Sequence, residues 1–306
     1  MDTRTRLRRA LGNPVLFGRQ ANRLYHRRLG RRTYNTDGTA IFEEDWDSLL
    51  VLDACRYDLF ATRSSLPGRL ERRRSRGSAT TEFLRANLDG RDLRDTVYVT
   101  ANPQIHHNSD SIQVDFHDVI HVWRDGWNDD HDTVLPETVT EAAARAAHEY
   151  PNKRLLVHYL QPHYPFIDAG VAADTFRGSN PNIWNQLLTG AADLDPHEVW
   201  EMYAENLDRA LPHVEELMDE LGGKTVVTAD HGNMVGERAF PLPIREWGHP
   251  RGIYTDELVA VPWLVYENGP RRKVTAEAST TATTDEDATD DDDVVAERLR
   301  DLGYAE

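Results

Sequence analysis

Five short runs of apolar, β-favouring residues recur along this chain: Ser48–Leu52, then 96–99, 154–160, 224–228 and 261–265. Most are too continuous to leave one face to water, so they predict strands buried on both sides, the pattern of a parallel sheet. Helical patterns lie between them. Over 199–221 the apolar positions Val199, Met202, Tyr203, Leu207, Leu211, Val214, Leu217, Met218 and Leu221 keep a helix period and stop at Gly222-Gly223. A second, alanine-rich helix over 137–150 leads into the strand at 154. This alternation predicts an α/β fold with a mostly parallel central sheet and helices on both faces. A chain of 306 residues supports one substantial core with appendages.

The appendages are compositional. Residues 1–33 carry ten arginines against the single Asp2, with Leu7, Leu11, Val15, Leu16 and Phe17 interspersed. Such a basic N-terminal arm suits peripheral contact with an anionic membrane surface, or equally a solvated arm or a helix packed on the body. The catalytic domain is expected over 34–273. Residues 274–293 read as an acidic disordered linker, since 277–293 hold only Thr, Ser, Ala, Asp and Glu. Over 294–306, Val294, Val295, Leu299, Leu302 and Tyr304 have helical spacing and predict a last helix docked on the domain. Residues 123–132 and 175–195 are expected to be long loops.

Charge narrows the function. A formal net charge of −17 argues against nucleic-acid partners, because such a surface repels phosphate backbones. An anionic substrate then needs local positive charge, which a bound metal supplies. Lys153, Lys224 and Lys273 are the only lysines, a composition that suits a salt-adapted protein. Cys55 is the only cysteine, which rules out an internal disulfide and fits a reducing, cytoplasmic location. No apolar run approaches the roughly 20 residues of a membrane span.

Ionisable residues follow the buried runs directly, at the edge where open parallel sheets bind ligands. Asp53 follows Ser48–Leu52. A carboxylate there is costly unless it meets a cation or a hydrogen-bond network, though helix capping is an equal alternative. Thr228-Ala229-Asp230-His231-Gly232-Asn233 is the stronger signal. Adjacent Asp and His offer one hard oxygen and one imidazole nitrogen, and the Gly permits close backbone approach. Trp247-Gly248-His249-Pro250 places another imidazole in a rigid loop. After the run at 154–160, His163 lies at the same edge, whereas His158 inside the run reads better as a satisfied core residue. Arg56 is a candidate clamp for a substrate oxyanion or a structural ion-pair partner. Ser78, Thr80 and Thr81 cluster at an expected helix start, with Phe83, Leu84 and Leu88 as its buried side. A hydroxyl there is either a nucleophile beside a dication or an ordinary cap.

This order of residues, strand-Asp53, hydroxyls at a helix start, His-x4-His-x-Pro, Thr-Ala-Asp-His-Gly, then Gly-His-Pro before a Val-Pro strand, resembles the alkaline phosphatase superfamily. Over about Asp45 to Tyr266 it is most similar to the sulfatase-like hydrolase or transferase branch. Thr228 to Asn233 with His249 also resembles the cofactor-independent phosphoglycerate mutases. The resemblance implies an alkaline-phosphatase-like fold and a metal-dependent hydrolase or transferase acting on a phosphate ester, with a sulfate ester as the alternative. It implies one or two divalent ions (Zn, Mn, Ca or Mg) and a small-molecule or glycan-linked anionic ester as substrate. The implied metal ligands are Asp53, Asp230, His231 and the nucleophile hydroxyl, Thr80, with Ser78 and Thr81 as alternatives. His249 matches a ligand of the second metal. The expected Asp-x3-His pattern is replaced by His163, with Ile167 at the second position, which leaves His163 to hold the substrate's anionic group. The Cys-x-Pro-x-Arg context of true sulfatases is absent, and Cys55 reads as a small packed residue.

Overall fold

The computed structural model describes residues 14–168, 183–276 and 291–304. In chain order its strands are β1 (Ser48–Leu52), β2 (Arg69–Arg74), β3 (Arg91–Thr100), β4 (Val114–His121), β5 (Trp127–Asn128), β6 (Thr133–Val134), β7 (Arg154–Tyr159), β8 (Gly223–Ala229), β9 (Met234–Arg238), β10 (Arg245–Gly248) and β11 (Ala260–Asn268). Seven of them form one sheet in the order β2-β11-β8-β1-β7-β3-β4. β8, β1, β7, β3 and β4 run parallel, and β11 is antiparallel to both of its neighbours. The pairs β5-β6 and β9-β10 are separate ribbons.

Successive side chains of a strand point to opposite faces, and both faces here are covered. Leu50 and Leu52 of β1 join Val97, Val99, Leu155, Val157 and Val227 in a core shared with the helices Pro136–Glu149 and Pro196–Glu220. Leu49 and Val51 point the other way, into a cluster with Tyr98, Leu156, Val226 and, from the helix Thr80–Leu88, Phe83, Leu84 and Leu88. The expected α/β architecture, mostly parallel with helices on both faces, is the one observed.

Four features differ from the sequence reading. The edge strands β2 and β4 have no counterpart among the five apolar runs, since β2 is Arg-Leu-Glu-Arg-Arg-Arg and polar residues interrupt the apolar ones of β4. Edge strands need bury only one face. The expected loop at 123–132 instead contains the end of a short helix, Val122–Asp125, and β5, because Trp123 is fully buried and anchors the segment. Part of the expected loop at 175–195 is the helix Ile183–Thr189, whose Ile183, Trp184, Leu187 and Leu188 form a buried stripe, while 175–182 lie outside the described residues.

Of the basic arm, 1–13 lie outside the described residues, and Pro14–His26 is a helix. Residues 277–290 of the acidic stretch also lie outside them. The helix Asp291–Asp301 follows, and Val295, Leu299 and Leu302 enter the main core cluster.

The central strand sets the stability. Leu50 is fully buried, so Leu50→Ala should cost about 2–5 kcal/mol in denaturant unfolding, whereas Leu24→Ala, at a 43% exposed position, should change it by under about 0.5 kcal/mol.

Candidate metal centre and active site

Strand register brings the site together. Leu52 of β1 lies beside Ala229 of β8 and Tyr159 of β7. Asp53 and Asp230 therefore leave adjacent strands at the same level, and the turn after β7 delivers His163 alongside, its backbone N–H donating to the Asp53 carbonyl at 3.1 Å. Because β11 runs the other way, the segment that precedes it, with His249, also comes to this edge. Gly232 is required here. A Cβ at that position would lie 2.1 Å from the Glu257 carbonyl oxygen.

Asp53, Asp230 and His231 are wholly buried and present ligand atoms within 4.8 Å of one another, the only three-ligand group of this kind among the described residues. Each carboxylate has one oxygen held by donors and one left over. Asp230 Oδ1 accepts from the backbone N–H groups of Ala54 at 2.9 Å and His231 at 2.8 Å. Asp53 Oδ2 accepts from Asn102 Nδ2 at 2.6 Å and from the Tyr304 hydroxyl at 2.9 Å. The other two oxygens, Asp53 Oδ1 and Asp230 Oδ2, are buried without a hydrogen-bond partner. They lie 3.6 and 3.3 Å from His231 Nε2. Burial, then the charge of Asp230, pushes the Asp53 carboxyl well above the usual carboxylate range.

His231 is oriented from behind. Its Nδ1 lies 2.8 Å from the Gly232 carbonyl, which fixes the proton there and leaves the Nε2 lone pair facing the carboxylates. Thr80 is the first residue of the helix Thr80–Leu88, and its Oγ1 lies 3.2 Å from His231 Nε2. Ser78 faces elsewhere: its hydroxyl contacts Glu82 and the Pro250 carbonyl and accepts from the Gly252 N–H. Thr81 is half-buried on the helix flank. Ala79, not Ser78 or Thr80, occupies the N-cap position, and no side chain caps this helix.

His163 and His249 form a second group. Their Nε2 atoms face each other at 2.8 Å, and the His249 ring lies 4.7 Å from that of His231. Burial holds His163 down to about 4 and His249 well below its ordinary value, so both are neutral near pH 7. Asn206 fastens the loop by donating to the carbonyls of Pro162, His163 and Pro165. Ile167 donates its backbone N–H to Asn206 and offers no ligand atom.

The Arg56 guanidinium is held by other partners: it donates to Asp58, Glu237 and the Asn233 carbonyl and stacks on Trp200, the ion-pair role of the two the sequence left open. Cys55 is buried in the core beneath, its thiol pushed well up by burial.

Three contributors escaped the sequence reading. His158, taken for a core residue, has an unpartnered Nε2 3.8 Å from Asp230 and 4.0 Å from Asp53, while its Nδ1 meets the Tyr98 hydroxyl. Asn102 follows β3 at the same sheet edge, and a search confined to ionisable side chains passes over it. Tyr304 arrives from beyond the helix Asp291–Asp301. Its hydroxyl also lies 3.2 Å from Thr80 Oγ1, and its ring stacks on His163 at 5.0 Å. Local sequence gives no hint of that reach.

No protein-family model matches the chain, and no curated protein is similar to it. Solved structures with a similar arrangement do exist. They include the zinc complex of the C-terminal periplasmic domain of EptC from Escherichia coli, at 12% identity and a TM-score of 0.48 over 74% of each chain. The same domain of the phosphoethanolamine transferase EptC from Campylobacter jejuni is 13% identical, with a TM-score of 0.43 over 72% of this chain and 78% of that one. A protein in the alkaline phosphatase superfamily from Vibrio parahaemolyticus is 11% identical, with a TM-score of 0.36 over 79% of this chain and 64% of that one. At these identities no residue role passes from those proteins to this chain.

Proposed function

We propose that this chain is a metal-dependent hydrolase or transferase acting on a phosphate-type ester, with Thr80 as its nucleophile. One observation carries the reading: two buried carboxylate oxygens without partners converge with an imidazole nitrogen and a threonine hydroxyl. Donors bound tetrahedrally to a zinc-sized ion at about 2.0–2.1 Å lie roughly 3.3–3.4 Å apart. The spacings to His231 Nε2 here, 3.2 Å from Thr80, 3.3 Å from Asp230 and 3.6 Å from Asp53, fit that scale. Asp53, Asp230, His231 and Thr80 would hold the ion. His163 and His249 offer two nitrogens without a carboxylate, which favours one ion over two and leaves these side chains for the substrate.

A dication bound by these residues would lower the pKa of the Thr80 hydroxyl and offset charge on the phosphoryl oxygens. Thr80 Oγ1 attacks phosphorus in line, forming a phosphothreonine as the bond to the leaving alcohol breaks. Water or an acceptor alcohol then breaks that bond and restores the hydroxyl. The start of the helix Thr80–Leu88, which no side chain caps, would favour the phosphoryl charge through its dipole. Asn102 and Tyr304 keep Asp53 Oδ1 turned inward by binding Oδ2.

A second reading, a metal-binding relative without turnover, draws on the burial of the site and on Tyr304 lying across it. Assaying the purified protein with Zn²⁺ or Mn²⁺ against phosphomonoester, phosphodiester and sulfate-ester chromogens, with and without added alcohols, separates the two. Metal uptake without cleavage of any of them would overturn the enzymatic reading.

Three expectations follow from the geometry. Asp230→Asn should weaken Zn²⁺ or Mn²⁺ binding by more than the roughly 10–100-fold that loss of an outer partner costs, measured by calorimetry, with the unfolding transition retained. Thr80→Ala should lower turnover by about three orders of magnitude, while Ser78→Ala should cost only about 1 kcal/mol of stability. Asp53 has a raised pKa in the folded, metal-free state, so its contribution to stability is full below the unfolded value of about 3.9 and is lost as pH rises through the folded one. Metal-stripped protein should therefore lose stability relative to Asp53→Asn as pH rises above about 4, read from melting curves across pH.

A further inference from the structure

The helix Pro14–His26 is apolar on both sides. Val15 and Leu16 pack on the main core, and Arg19 reaches inward to the buried Glu246, as Arg27 just beyond the helix reaches the buried Glu82. Phe17, Leu24 and Tyr25 face outward, 67%, 43% and 54% exposed, and Leu29 in the turn that follows is 81% exposed. An ordinary surface helix keeps that outer side polar. The tip of the β9-β10 hairpin extends the same face. Its Phe240 ring packs against Tyr25 at 5.5 Å, and Leu242 is fastened to Asn22 through both its N–H and its carbonyl. These six side chains make up all but Val294 of the exposed large hydrophobic residues among those described. Apart from Val294, the large apolar exposure among the described residues is thus gathered in this helix, the turn after it and the hairpin tip.

The charge around that face is as uneven. The chain carries −17, yet residues 14–32 hold six arginines and no carboxylate. Arg28 and Arg31 are exposed beside Leu29, and Arg238 and Arg245 are exposed on the hairpin strands. A cleft of about 310 Å³ opens beside Tyr25 and Arg28, with Arg32 and Arg74 in its wall and Asp37 paired to Arg32.

We propose that this face docks on an anionic lipid surface. Phe17, Leu24, Tyr25, Leu29, Phe240 and Leu242 enter the boundary between headgroups and acyl chains, and the arginines meet lipid phosphates. Charge complementarity chooses this occupant. A second copy using the same patch would set arginine against arginine across a two-fold axis. A nucleic acid would satisfy the arginines and leave the apolar side chains in water.

The test is sedimentation of the full chain with vesicles of phosphatidylcholine, alone or mixed with anionic phosphatidylglycerol. Binding is expected to the mixed vesicles only, and to weaken as salt rises. Phe17→Ser/Leu24→Ser and, separately, Arg28→Glu/Arg31→Glu should each reduce it by about tenfold or more. All four side chains are exposed, so both variants should keep the wild-type melting temperature. If the first variant loses its fold, the second still decides. Equal binding to both vesicle types, unchanged binding by the charge-reversal variant, or a dimer in analytical ultracentrifugation that Phe17→Ser/Leu24→Ser abolishes would overturn the proposal. Activity is not a readout here, so failure at this face leaves the metal site untouched.

Discussion

Asp53 and Asp230 leave adjacent strands at the same level, and two carboxylates therefore share one volume that water does not reach. Neighbouring negative charges in such a place cannot both persist without compensation. The surrounding structure supplies part of it: two backbone N–H groups for Asp230, and a carboxamide and a phenol for Asp53. The parts they leave unsatisfied point toward His231. Without the left-handed backbone at Ala54, with φ of 60°, and the bare backbone at Gly232, neither the Ala54 N–H nor the turn carrying His231 would reach its place.

What could be read from sequence follows from what local patterns encode. Strands buried on both faces leave an unbroken apolar run, so β1, β7, β8, β11 and the end of β3 were legible, and with them the sheet edge where Asp53, Asp230 and His163 stand. β2 and β4 answer to one face only, and charge on β2 hides it further: Arg72 and Arg74 both pair with Asp256 beside the sheet. Asp-His-Gly was legible because rigid turns with ligand atoms are compact in sequence. The roles of His158, Asn102 and Tyr304 depend on register and on long-range docking, which no window of neighbouring residues contains. Of the two roles the sequence left open for Arg56, the ion pairs with Asp58 and Glu237 are the one seen, because adjacency to Asp53 along the chain says nothing about where a long side chain finds its carboxylates.

The arginines of the first helix and the turn after it show the same division between composition and position. Counting them gave a basic arm. Their placement divides them, since Arg19 and Arg27 neutralise the buried Glu246 and Glu82 while Arg28 and Arg31 remain at the surface. Sign asymmetry in a sequence thus mixes structural charge with surface charge, and only the fold separates them.

Tyr304 joins distant parts of the chain in a way that has a thermodynamic cost. Its hydroxyl touches Asp53 and Thr80, while its position follows from the burial of Val295, Leu299 and Leu302 a turn or two earlier. Undocking of that helix would therefore carry the phenol away from the site. Any molecule that must displace the phenol binds with an apparent affinity reduced by the fraction of chains already open, and whatever loosens the helix from outside raises that fraction by the same factor.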